Sequence, residues 1–122
     1  MKIAFSVKSH EPTLHAAIDP RFGRARYFFI VDSEKGNITK VLDNSQAYNM
    51  THGAGIKCAT AMVDEGVDAV ASGFVGPKAF SVLQAAGIKV YSGLEGTVKE
   101  ALAQITAGKI SPDNSPSSDG HW

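Results

Sequence analysis

The sequence has a single cysteine, no excess of either charge and no long apolar run, and each absence removes a class of function. Cys58, standing alone, excludes an internal disulfide framework and any zinc or iron–sulfur site ligated by several cysteines of the chain. Twelve Lys+Arg are matched by twelve Asp+Glu, so the formal net charge is zero. A nucleic-acid binder needs a basic excess to displace phosphate counterions, so no nucleic-acid partner is expected. The first apolar stretch, Ile3 to Val7, is interrupted by Lys8 and is too short for a signal-peptide core. No stretch approaches the roughly 20 apolar residues of a membrane span. The expectation is a cytoplasmic, reducing-compartment protein with no membrane association.

What is present is ordinary globular material. The chain has 122 residues, 43% hydrophobic and 20% charged, enough for one domain that buries about two thirds of its unfolded surface. We place a single α/β domain at residues 1–110. Residues 111–122, rich in Ser, Pro, Asp and Asn, read as a flexible C-terminal tail.

Hydrophobic patterning divides the domain into short elements. Lys2–Val7 suits a strand buried on both faces, and a loop containing Pro12 and Pro20 follows. Tyr27–Val31, aromatic and β-branched, is the strongest strand signal. Ser33–Asn37 reads as a hairpin turn, with Ile38–Leu42 returning antiparallel. Beyond Asn44 helices and strands alternate. The spacing predicts a helix over 56–65 stopped by Gly66 and a strand over 67–71. A second helix runs from Pro77 to Ala86 before Gly87, then a strand over 88–91. Thr97 and Glu100 form a capping box for a third helix that ends at Gly108. The stop glycines recur at an interval of 21 residues, the length of one αβ unit. Right-handed crossovers then place helices on both faces of a mixed sheet.

In such sheets ligands bind beyond the carboxyl ends of the parallel strands. Three segments are expected there: Asp19–Arg26 with Arg21, Phe22, Gly23 and Arg24; Met50–Ile56 with Thr51, His52, Gly53 and Gly55; and Ser72–Lys78 with Gly73, Gly76, Pro77 and Lys78. Glycines at a helix start let free N–H groups approach a ligand, and the helix dipole favours a negative one. Arginine adds fork-shaped donors and lysine a point charge. Together they point to an anion. Arg24 and His52 are expected to face each other across the mouth, Arg24 as fixed charge and His52 as a donor that gains charge on acidification.

Each piece also has a plainer reading. Arg21, Arg24 and Arg26 are equally read as solvated, or as partners of Asp19 and Asp32. The glycines would also serve tight packing, and neither glycine loop has the Gly-Lys-Ser/Thr of a phosphate loop. Next to a helix start, a histidine such as His52 is more often a structural or exposed residue than a ligand. Cys58 reads as a small core hydrophobe. His10 and His15 have no recognised metal-ligand spacing, and no catalytic set of side chains stands out, so we expect neither a metal ligated by the chain nor an enzyme.

Four segments carry a resemblance to a known family: Asp19-Pro-Arg-Phe-Gly-Arg-Ala25, Gly53-Ala-Gly-Ile56, Gly73-Phe-Val-Gly-Pro-Lys-Ala79 and Ala86-Gly-Ile-Lys-Val-Tyr91. Their order and spacing resemble the dinitrogenase iron–molybdenum cofactor biosynthesis family from Ile3 to about Gly108. The Gly-Pro-Lys-Ala run and the terminal Gly120-His-Trp122 resemble the branch from sulfate-reducing bacteria. The resemblance implies a three-layer α/β/α ribonuclease H-like fold with a five-stranded mixed sheet. It also implies noncovalent carriage of a molybdenum–copper sulfide cluster, its metals ligated by inorganic sulfide, or of an iron–molybdenum cofactor-like precursor. We further expect a monomer, with partner proteins that deliver or receive the cluster. Many members have His-Phe-Gly where this chain has Arg21-Phe22-Gly23, which favours charge pairing over direct metal ligation at that point. Two other classes use the same features: a regulatory domain binding a small anion or nucleotide, and a hydrolase that would need clustered carboxylates and a divalent ion.

Overall fold

A computed structural model describes residues 1–117. The terminal Gly120-His-Trp122 lies outside the described residues. Five strands, β1 (Lys2–Val7), β2 (Tyr27–Asp32), β3 (Asn37–Asp43), β4 (Ala69–Ala71) and β5 (Lys89–Tyr91), form one sheet in the order β3-β2-β1-β4-β5. β1, β2 and β3 pair antiparallel, whereas β4 and β5 continue parallel to β1. Four helices accompany them among the described residues: α1 (Ser45–Tyr48), α2 (Ala54–Glu65), α3 (Pro77–Ala85) and α4 (Val98–Thr106).

The period-2 alternation of strand side chains gives each face its own core. Ala4, Phe28, Ile30, Val70 and Val90 pack with Cys58 and Met62 of α2 and with Phe80 and Leu83 of α3. Their neighbours Ile3, Phe5, Phe29, Val31, Ala71 and Tyr91 point the other way, against Val98, Leu102 and Ile105 of α4. Helices thus cover both faces, as the sequence predicts. Both parallel crossovers step in one direction across the sheet, so α2 and α3 share a face.

Local chemistry explains the boundaries. Gly66, Gly87 and Gly108 each take a left-handed φ, between 69° and 76°, just beyond a helix end. Thr97 Oγ1 accepts from the Glu100 N–H at 3.2 Å and Glu100 Oε1 from the Thr97 N–H at 3.0 Å, the predicted capping box. In the β2–β3 turn, the Asp32 carboxylate accepts the N–H groups of Glu34 and Lys35, which holds its pKa below the ordinary value. Two boundaries differ from the sequence reading by two residues, and several others by one. α2 begins at Ala54, ahead of its first large apolar residue, and the strand expected over 67–71 narrows to Ala69–Ala71 because Val67 closes the end of α2 by donating to Met62 O. α1 is additional; its four residues are too few to show a period.

Candidate functional site

The carboxyl ends of β1 and β4 carry the two loops that matter. Ser6 and Ser72, both fully buried, tie these loops together: Ser6 Oγ donates to Asp19 O at 2.7 Å and is hydrogen-bonded to Ser72 Oγ at 2.8 Å. Phe22, 1% exposed, anchors the arginine loop in the core, edge-on to Phe28 at 5.4 Å between centroids. Its N–H donates to Phe74 O at 3.1 Å, so the 19–26 and 72–78 segments lie side by side.

Two glycines make the close approaches. A Cβ on Gly73 would lie 2.7 Å from both Cα and O of Pro20, and one on Gly23 would lie 3.0 Å from Cα and N of Gly55. Backbone therefore meets backbone at both points, and the arginine loop rests directly on the start of α2. Arg24 fastens the next stretch. Its guanidinium donates to Tyr48 O and Thr51 O, each at 3.3 Å, and to Met50 O, clamping the segment between α1 and α2. Asn44 adds a second tie, donating to Ala25 O at 2.7 Å and to Cys58 Sγ at 2.9 Å.

These contacts frame an open cavity of about 550 Å³ lined by Arg21, Phe22, Gly23, Arg24, Gly53, Gly55, Ile56, Phe74, Gly76, Pro77, Lys78 and Ala79. That volume lies within the roughly 300–1,000 Å³ usual for ligand sites. The three predicted segments do converge, and nine of the twelve predicted residues line the cavity. The other three stand elsewhere. Gly73 is used against Pro20. Thr51 and His52 are exposed and outside the lining, because Gly53, at φ 78°, turns the chain away before α2 begins. The sequence reading missed Phe74, Ile56 and Ala79 as wall residues; Phe74 sits between the two glycines of its loop, the one signal available for it.

Electrostatically the lining is one-sided. Among the described residues it contains Arg21, Arg24 and Lys78 and no carboxylate. Arg21 is partly balanced by Asp19, 3.6 Å away behind the wall, whereas no ion pair among the described residues involves Arg24 or Lys78. Arg26 lies outside, its guanidinium 5.6 Å from the ring centres of both Tyr27 and Tyr48. α2 and α3 both start at the cavity, with Gly53 and Gly76 as caps and, among the described residues, no side chain accepting from their first turns. The amides of Ala54, Gly55 and Ile56 precede the first helical bond, which Lys57 N donates to Gly53 O. Those of Lys78 and Ala79 precede the Phe80 N to Gly76 O bond. Such amides, with the positive dipole ends of two helices, suit an anion.

Among the described residues the lining holds no thiol, imidazole or carboxylate. Cys58 lies behind it, fully buried, its thiol 3.6 Å from Gly23 O. Burial pushes that thiol from 9.0 up to about 11, against a smaller opposing effect of the Asn44 hydrogen bond. In the metal-free protein the thiol is therefore protonated at neutral pH. The unfolded thiol ionises first, so the stability contributed by the protonated thiol is complete below pH 9.0 and is lost as pH rises towards about 11. Urea denaturation of parent and Cys58→Ala between pH 8 and 11 is expected to show a smaller alkaline loss in the variant. At neutral pH that variant should be destabilised by about 1 kcal/mol.

A mixed-sheet α/β protein with a cationic cavity at the ends of its parallel strands is thereby defined. The chain belongs to the dinitrogenase iron-molybdenum cofactor family, whose profile matches residues 1–108. The structure of the apo form of the orange protein from Desulfovibrio gigas superposes with a TM-score of 0.89 at 38% identity, over 96% of each chain. An NMR structure of a NifB-like Thermotoga protein of the DUF35 family gives a TM-score of 0.77 at 34% identity, over 98% of each chain. An uncharacterized protein of Methanocaldococcus jannaschii is 33% identical over 111 residues, covering 90% of this chain and 89% of its own length.

Proposed function

We propose that the chain binds a polyanionic metal–sulfur cluster or cofactor precursor noncovalently in this cavity and acts as a carrier, not an enzyme. The carrying observation is that α2 and α3 direct their uncapped N-termini into one cavity walled by arginine and lysine. Family membership and the orange protein likeness support a cluster or cofactor as the anion. The donor set narrows the cargo further. Among the described residues a lining of N–H groups, cations and apolar walls offers no ligand to a bare metal ion, which favours a metal that arrives with its coordination already complete. A sulfide-ligated cluster, of the molybdenum–copper type or an iron–molybdenum precursor, fits that description. In this reading residues 1–110, with the ribonuclease H-like classification, are the cluster-binding domain of a cytoplasmic monomer that exchanges its cargo with partner proteins. No helix among the described residues is long and apolar enough to cross a membrane, which accords with it.

Titrating cargo-free protein with tetrathiomolybdate and copper is expected to develop a visible chromophore that comigrates with the protein on gel filtration. Binding should weaken as salt rises, because exposed charges are screened over about 8 Å at physiological ionic strength. A colourless protein fraction would overturn the cluster reading. Retention of a colourless anion or nucleotide in its place would make the chain an anion-binding regulator.

A further inference from the structure

Among the described residues the sheet ends at β5, whose outer side has no strand partner there. Lys89 N donates to Asp68 O and Tyr91 O accepts from Ser72 N, so both residues face β4, and the alternation turns the carbonyl of Val90 to the open side. There it accepts the Asp113 N–H at 2.7 Å, while Ser92 Oγ donates to the Asp113 carboxylate. Four residues further on, Ser117 N–H donates to Val75 O at 3.0 Å, and Val75 N–H donates to Ser117 Oγ at 3.1 Å. The chain beyond α4 is therefore fixed at two points.

The second point touches the cavity wall. Val75 is fully buried, and its neighbours Phe74 and Gly76 line the cavity. On its other side this wall is held by Phe22 N–H on Phe74 O and by the seating of Gly73 on Pro20. Ser117 engages both backbone polar groups of Val75. Without it they would need water, and the wall would have to open to admit it.

We propose that residues 111–117 are a strap holding the Phe74–Gly76 wall, with Ser117 as its positioning residue, and that the strap sets how long the cargo stays bound. The second part rests on the cluster-binding reading; the first does not. In the full chain without cargo, Ser117→Ala removes the acceptor of the Val75 amide, while Ser117→Thr keeps it. Hydrogen exchange at Val75 should accelerate roughly tenfold in Ser117→Ala, the factor one lost hydrogen bond carries, and stay near the parent rate in Ser117→Thr. With the thiomolybdate–copper chromophore loaded, its release after dilution should quicken in Ser117→Ala and again be restored by threonine. Unchanged exchange at Val75 would overturn the strap. Faster exchange with unchanged release would overturn its role in retention. If the parent never forms the chromophore, the cluster reading and the retention role both fall, and the exchange measurement still decides the strap.

Discussion

Gly73→Ala is expected to lose binding of the thiomolybdate–copper probe and to destabilise the fold by about 2–3 kcal/mol, the cost of forcing a methyl into a filled space. The added Cβ would lie 2.7 Å from Cα and O of Pro20, and neither atom belongs to a side chain that swings away. The two loops would have to separate, taking with them the Phe22 N–H to Phe74 O bond that aligns the arginines with α3. Gly76→Ala is the control. With φ at −69° and its nearest neighbour at 3.7 Å, a methyl fits, so the change should cost under about 1 kcal/mol. Urea denaturation of both variants, followed by titration at equal folded fraction, checks the pair. Equal losses in the two would mean that the close approach to Pro20 does not organise the cavity.

The second large effect concerns Arg24. Arg24→Ala should cost about 2 kcal/mol and weaken probe binding at least about tenfold, since hydrogen bonds from a charged donor contribute about 1.5–3 kcal/mol each and part of that is recovered by water. The loss would come through backbone: the carbonyls of Tyr48, Met50 and Thr51 are released, and the segment leading to the amides of α2 loosens. Arg24→Lys separates this from simple charge. A lysine supplies the same charge but one compact donor head, which cannot span three carbonyls as the guanidinium fork does. The lysine variant should therefore resemble alanine in affinity. Parent-like binding by Arg24→Lys would show that charge alone is what the site takes from this position.

Much of this architecture was legible because it rests on local rules. The strand at Tyr27, Pro77 at a helix start, the Thr97–Glu100 capping box and the glycines that stop α2, α3 and α4 each act within a few residues. The convergence of three loops was legible too, since strand order and the position of carboxyl ends follow from alternating helices and strands. The roles of single side chains were harder to read. Arg24 looks like an anion ligand in the sequence, yet its acceptors are backbone carbonyls 24 to 27 positions away. Gly73 looks like a ligand-facing glycine until Pro20 is placed against it. Adjacency in sequence suggested that His52 shares the site of Gly53, but the positive φ of Gly53 reverses the chain between them. Through residue 117 the polar C-terminal segment finds partners on β5 and on the cavity wall, contacts that no local pattern announces.

The contrast between capped and uncapped helices has a thermodynamic consequence. α4 has its capping box, whereas α2 and α3, facing the cavity, start at glycines without a side-chain acceptor. A glycine cap falls only a few tenths of a kcal/mol short of Ser, Thr, Asn or Asp, so what the empty protein leaves open is chiefly the free amide donors of two first turns. An anion accepting from those amides supplies both caps at once, and its affinity then reads directly as resistance to heat. At a hundred times its dissociation constant a ligand adds about 2.7 kcal/mol, which moves the melting temperature of a domain near this size by roughly 10 °C. A melting curve thus ranks candidate cargoes by how well they complete two helices, colourless ones included, and the order should follow anion charge and compress as salt is added.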